Sequence, residues 1–158
     1  MAATEYPGFT LDEQLCFALH TASRAMTGCY RPLLDEIGLT YSQYAAMLVL
    51  WEHDGAPLGE LCDRLALDSG TISPLLKRME AQGLVTRRRR PEDERTVHVE
   101  LTQAGRALRG RAAAVQSSVV EATGLASAEL ATMRDDLHAL AERLRAAEVH
   151  PGPVSGAR

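Results

Sequence analysis

The sequence predicts a mainly α-helical fold with a small β-wing. Three observations carry that expectation. Apolar residues recur at helical spacing through most of the chain, in a composition where Ala, Leu and Arg favour helix. Residues 58–102 break the pattern in a set order: a short helix, a turn, a second helix, then two alternating segments about a charged tip. The same stretch is locally basic, with seven Lys or Arg against two acids between Arg64 and Arg90, in a chain of net charge −4. Helix, turn, helix and hairpin together outline a winged helix-turn-helix. That unit places one helix in the DNA major groove and a hairpin against the neighbouring backbone or minor groove. Charge concentrated in this way marks a surface for polyanions.

The elements follow in order. Residues 1–9 contain Pro7 and Gly8 and read as a flexible arm. Thr10 with Glu13 forms a capping-box pattern, so a helix is expected to begin near Leu11. Leu11, Leu15, Ala18, Leu19, Ala22 and Met26 give it an apolar stripe. Pro32 breaks or restarts it, with a short helix to Ile37 and Gly38 as the stop. Thr40 and Gln43 make a second capping box for a helix over 41–53 with Tyr44, Met47, Leu48 and Trp51 on one face. Asp54-Gly55 closes it, and Pro57 sits where a first-turn proline is tolerated. Leu58, Leu61, Cys62 and Leu65 form the apolar face of the next helix. Asp68 caps the one after, which runs to about Gln82 with Ile72, Leu75, Leu76 and Met79 inward and Gly83 at its end. Strands are expected over 84–89 and 96–101, where Val97, Val99 and Leu101 alternate with His98 and Glu100 about a turn over 90–94. Thr102 caps a long helix to about Ala122, and Ser127 caps a last one to about 148. In that last helix Leu130, Met133, Leu137, Leu140 and Leu144 form a seam that wants a partner helix. The tail over 151–158, rich in Gly and Pro, reads as disordered.

Composition excludes several classes. No apolar run is long enough for a membrane span, and the first ten residues lack the basic start and apolar run of a secretory signal. Three cysteines without zinc-type spacing do not make a disulfide framework, so a cytoplasmic protein with reduced thiols and no cofactor is expected.

The residues that would read DNA sit in the second half of this unit. Asp68, Ser69, Thr71, Ser73 and Lys77 lie near the start or on the polar side of the helix over 68–82. Short hydroxyls and a lysine suit phosphates and base edges. Alternatively, Asp68 is only a cap and the hydroxyls are only solvated. In the wing, Asp93 and Arg95 form a D-x-R pair. A carboxylate beside the arginine would pre-organise it for the minor groove, or the pair is a salt bridge pinning the hairpin. Arg87, Arg88, Arg89 and Arg90 add phosphate contacts, or a solvated charged face.

These residues closely resemble those of a known family. DSGTISPLLKRMEAQGLVTR followed by DERTVHVELTQAG resembles the MarR family of bacterial winged-helix repressors. Upstream, LCFALHTASRAMTGCYRPLLDEIGLTYSQYAAMLVLWEHDG resembles the subgroup that senses organic hydroperoxides, the OhrR type. The resemblance covers about residues 10–145. It implies one domain over 10–150, with a DNA-binding lobe at about 40–101 and dimerisation helices at about 10–37 and 103–148. It further implies a homodimer on a palindromic stretch of double-stranded DNA. Ser69, Thr71, Ser73 and Lys77 would then lie in the major groove, and Arg95, supported by Asp93, in the minor groove.

The resemblance also gives Cys16 a role. Read alone, a cysteine in an apolar stretch is most often a small core residue. In the OhrR type a cysteine at this place is oxidised by organic hydroperoxide and is hydrogen-bonded by tyrosines, which match Tyr30 and Tyr41 here. A phenol O–H favours a thiolate. Phe17, Met26 and Met47 form either an apolar cup for the peroxide or plain core. Relatives often carry a third tyrosine where this chain has His20. One helical turn from Cys16, His20 either supports the thiolate or has no role. No cysteine follows Cys62, so the oxidised thiol would be capped by a low-molecular-weight thiol or meet Cys29 or Cys62. The competing reading is a repressor of the same family released by a non-covalent aromatic ligand, with Cys16 incidental. A thiol peroxidase would want a recycling cysteine pair and an active-site arginine, and would leave the wing unexplained, so no enzyme is expected.

Overall fold

The computed structural model describes residues 10–147. The expected arm over 1–9, the tail over 151–158 and the last helix's end at 148 lie outside them. The chain forms two compact units divided after Ala122.

In the first unit a 3-10 turn (Leu11–Glu13) precedes α1 (Leu15–Asp35). The Thr10 hydroxyl donates to the Glu13 carboxylate at 2.6 Å instead of capping a backbone N–H, so the regular helix starts later than the sequence suggests. Pro32 does not break α1. A helical proline deprives the carbonyl four residues back of its donor. Here that residue is Gly28, exposed and without a side chain, so its carbonyl is left to water. Pro74 in α4 (Ser69–Ala81) has the same arrangement over exposed Gly70. The far end of α1 is also held by tertiary packing through fully buried Leu34.

The Thr40–Gln43 capping box forms at the start of α2 (Tyr41–Glu52). The Gln43 amide also donates to Gln82 at 2.9 Å, tying the start of α2 to the end of α4. Pro57 is the N-cap of α3 (Leu58–Leu65), not its first residue. It belongs as well to β1 (Ala56–Pro57), which is too short to show a sequence period. Leu61, Ile72, Leu76, Met79 and Val99 are fully buried beside Met47 and Leu50 of α2. Deleting such a side chain costs roughly 2–5 kcal/mol.

β2 (Val85–Arg90) and β3 (Asp93–Leu101) extend to a two-residue turn at Pro91-Glu92, with Arg90 opposite Asp93. The antiparallel sheet has the order β1-β3-β2. One expectation about its faces fails: His98 is buried (7 % exposed), whereas Val97 is half-buried. His98 lies opposite Pro57 of β1 and Arg88 of β2, and the Arg90 guanidinium folds back to the Gly55 carbonyl at 3.3 Å.

The long helix expected from Thr102 is two, α5 (Gln103–Ala107) and α6 (Arg109–Ala122). The Trp51 indole N–H donates to the Gly105 carbonyl at 3.0 Å, the acceptor that a continuous helix would offer to Arg109. Thr102 caps α5 as expected, accepting from the Gly105 N–H at 3.0 Å. α6 buries Ala112, Val115 and Val119 and packs against α1.

Asp54 joins α2 to the hairpin, accepting from the Leu101 N–H at 2.8 Å and pairing with Arg106 at 2.5 Å. Desolvation pushes this carboxyl up. The Leu101 N–H and the Arg106 guanidinium together outweigh it and hold the carboxyl below its ordinary value. A depressed folded-state value stabilises the fold above the unfolded-chain value, and that stability is lost as pH falls through the folded one. Asp54→Asn is therefore expected to flatten the acid limb of stability below about pH 4, as followed by urea denaturation. An acid limb as steep as the parent's would count against this role.

The second unit contains α7 (Ser127–Ala146). Ser127 is its first residue rather than its cap. The Glu129 carboxylate accepts from the Ala126 N–H at 2.8 Å. Met133, Leu137 and Leu144 are exposed along it.

Candidate functional site

The recognition-helix candidate, α4, is built by two opposed faces. Ile72, Leu75, Leu76 and Met79 are buried, and Ser69, Thr71 and Lys77 are exposed, with Ser73 half-buried. Asp68 caps the helix: its carboxylate accepts the Thr71 N–H at 2.8 Å and the Thr71 hydroxyl at 3.1 Å. Those bonds hold the Asp68 carboxyl below the ordinary carboxylate range. Thr71 is thus already committed to the cap, which leaves Ser69 and Lys77 as the freer groups. The sequence alone does not single out Arg78, yet it is exposed beside Lys77. Between α3 and α4 the chain turns through Ala66 in the left-handed region (φ 51), with the Leu67 N–H donating to the Cys62 carbonyl at 3.0 Å.

The arginine run does not act as one patch. Arg87 is bound to Glu80 of α4: its guanidinium pairs at 2.7 Å and its backbone N–H donates to the same carboxylate at 2.9 Å. The guanidinium holds the Glu80 carboxyl below its usual value. This clamp fixes the wing against the recognition helix, so Arg87 is no free phosphate contact. Arg88 approaches Glu100 at 3.7 Å, and Arg89 braces the hairpin through the Glu94 carbonyl at 2.7 Å. The D-x-R pair also differs from expectation. Asp93 accepts from the backbone N–H of Arg95 at 3.1 Å, and no ion pair joins it to the Arg95 guanidinium among the described residues. Asp93 shapes the turn and leaves the exposed arginine to its partner.

Cys16 is exposed on α1, as are its neighbours Leu15 and Phe17 and, one turn on, His20. Met26 is exposed too, but Met47 is fully buried core and lines no cup. Tyr30 and Tyr41 lie together, ring centroids 5.3 Å apart, and a third tyrosine, Tyr44, stacks 5.4 Å from Tyr30. This cluster does not meet the thiol within one chain. Cys16 and Tyr30 are on the same helix fourteen residues apart, a rise of about 21 Å. Cys29, thirteen residues on, is likewise about 20 Å away. A disulfide needs Cα atoms within about 7 Å, so Cys29 of the same chain does not resolve an oxidised Cys16. Cys62 is half-buried against the core of the lobe. Among the described residues no cluster of His, Cys, Asp or Glu could hold a metal ion, and no helix is long and apolar enough to cross a membrane.

Comparison with known proteins agrees with this architecture. The sequence pattern of the family described as transcriptional regulator SarA/Rot matches residues 29–110. The organic hydroperoxide resistance transcriptional regulator of Bacillus subtilis (strain 168) is 43% identical over 134 residues, covering 85% of this chain and 91% of that protein. The HTH-type transcriptional regulator TtmR of Methylorubrum extorquens (strain PA1) is 48% identical over 139 residues, covering 84% and 71%. Among solved structures, reduced AbfR bound to DNA superposes with a TM-score of 0.72 at 31% identity, over 87% of this chain and 96% of that one. The matched pattern spans the whole lobe from the tyrosine cluster through the wing, and the identity extends across most of the chain, so the protein belongs to the MarR-type winged-helix transcriptional regulators.

Proposed function

We propose that this protein is a DNA-binding repressor that senses organic hydroperoxides through Cys16. The observation that carries the proposal is the exposed Cys16 thiol on α1, beside an exposed apolar stripe that runs from Leu11 of the 3-10 turn through Leu15 to Met26. An unpartnered stripe of this kind suits a second copy, as does the exposed seam of α7. A homodimer would present two lobes to a palindromic operator and bring each Cys16 to the tyrosines of the other chain. The similarity to a hydroperoxide resistance regulator and to reduced AbfR on DNA supports the signal and the partner.

The chemistry balances as a two-electron exchange. The Cys16 thiolate attacks the distal peroxide oxygen; the S–O bond forms, the O–O bond breaks, and the alkoxide leaves to take up a proton as alcohol. Sulfur is oxidised to sulfenic acid and the hydroperoxide is reduced. A low-molecular-weight thiol then displaces water to give a mixed disulfide. Added bulk at the junction of two chains changes the separation of the lobes, and with it the fit to DNA.

On DNA, α4 presents Ser69, Thr71, Ser73 and Lys77, with Arg78 beside them, and the wing presents Arg95 with Arg88, Arg89 and Arg90 as secondary phosphate contacts. Arg95→Ala is expected to weaken operator binding by about tenfold and to lower the slope of log affinity against log salt by about one. The experiment for the whole reading is fluorescence anisotropy on the intergenic DNA beside its own gene, with and without cumene hydroperoxide. Tight binding that the peroxide relieves is the expected result; binding indifferent to peroxide overturns it.

A further inference from the structure

The geometry points to Glu80 as a specificity-determining residue: by clamping Arg87 it holds the wing in register with the recognition helix and withholds that arginine from phosphate. This rests on the DNA-binding reading of α4 and the wing. Both oxygens of the carboxylate are engaged. Oε1 accepts the Arg87 backbone N–H at 2.9 Å. Oε2 accepts the guanidinium, from Nε at 2.8 Å and from Nη2 at 2.7 Å. The Glu80 and Arg87 side chains are 29% and 35% exposed, so water screens the pair only in part.

The place of the clamp in the chain gives it its effect. β2 is an outer strand of the sheet, joined to α4 by a turn over 82–84 in which Gly83 is left-handed (φ 71). A turn at one end leaves a strand free to pivot, and a second attachment seven residues from Glu80 removes that freedom. The separation of helix and wing decides whether both reach their grooves on one site. Nonspecific binding needs only phosphates and tolerates a loose wing. A groove of about 250 Å³ between α4 and the wing is lined by Glu80, Arg87, Arg88, Arg89 and Val97, so one acid sits among three arginines. An acid there weakens the attraction for any polyanion, which opposes a role in affinity and fits a role in registry. The alternative is that buried Leu84 and Val85 already fix the base of the wing and the pair is an incidental surface bridge. The two ideas separate when both charges are removed together.

The test compares the full-length protein on two labelled duplexes across a salt series: the intergenic DNA beside its own gene, and a scrambled duplex of equal length. The double variant Glu80→Gln/Arg87→Met conserves net charge. It should bind the scrambled duplex as the parent does and lose about tenfold in preference for the intergenic one. Glu80→Gln alone frees Arg87. It should lose the same preference, bind scrambled DNA about fivefold more tightly and steepen the salt slope there by about 0.9. A parent-like preference in the double variant overturns the proposal. So does a Glu80→Gln protein with the parent's salt slope, because Arg87 was then not being withheld. A parent that binds both duplexes alike fails the DNA-reading interpretation beneath the proposal. Should these variants melt early, Arg87→Lys keeps every charge and the backbone bond but loses the guanidinium fork. It should lose about threefold in preference, and a preference equal to the parent's counts equally against the proposal.

Discussion

Cys16→Ser is expected to bind its operator as tightly as the parent and to stay bound when organic hydroperoxide is added, whereas the parent loses about a hundredfold in affinity, or about 2.8 kcal/mol. Serine matches cysteine in size on an exposed stretch of α1, so the fold has no reason to respond. Its hydroxyl is a far weaker nucleophile at neutral pH than a thiolate, so the O–O bond is left intact. Cys16 lies on α1, which is neither α4 nor part of the wing, so reduced-state binding is also expected to be unaffected. Anisotropy titrations of both proteins before and after cumene hydroperoxide decide the matter. If peroxide still releases the variant, the signal does not pass through this sulfur, and a non-covalent aromatic ligand becomes the better account of release.

Gly105→Ala is expected to lose roughly 3 kcal/mol of stability, near the top of the range for overpacking, and to lower the melting temperature by about 10 °C. A β-carbon on Gly105 would meet the Leu84 carbonyl oxygen at 2.2 Å and Leu101 Cδ2 at 3.2 Å. The first is backbone at the start of the wing and cannot swing aside. That carbonyl also receives the Thr102 N–H at 3.0 Å and its hydroxyl at 3.1 Å, so moving it breaks the cap of α5. The Gly105 carbonyl holds the indole of Trp51, the single tryptophan of the chain, so its fluorescence reports the same event. Gly110→Ala is the control: nothing lies within 4 Å of its β-carbon, on an exposed helical position, and it should melt no lower than the parent. Circular dichroism melts of the three proteins suffice; a Gly105→Ala curve within a degree or two of the parent refutes the close approach.

What the sequence made legible was whatever rests on local chemistry. Thr40, Asp68 and Thr102 cap helices where short polar side chains precede apolar spacing, and the inward face of α4 follows from its period. The failures have tertiary causes. Pro32 is carried through α1 because Leu34 is anchored beyond it and Gly28 lies beneath it. The break at Leu108 is set by Trp51, fifty-four residues from Gly105 and invisible to any local window. His98 is buried by a strand pairing that two residues of β1 supply. In the site, residue types were legible and their commitments were not. The sequence shows four arginines alike, whereas Glu80 removes one of them from the surface available to DNA. Met47 has the character of a pocket residue, yet it belongs to the core. Tyr44 differs from Tyr30 and Tyr41 only in depth, which spacing does not reveal.

The length of α1 has a consequence for how such a sensor counts. On the proposed reading, with about 21 Å of helix between sulfur and phenol, an isolated polypeptide would own half of two separate detectors and the whole of neither. Each pair of chains would therefore hold two detectors, each straddling the molecular twofold, and oxidising either one makes the pair asymmetric. The operator, built with matching arms, would then be asked to accept an unequal grip. One modified sulfur would then loosen it, and the response would follow the fraction of pairs struck at least once instead of the fraction of chains.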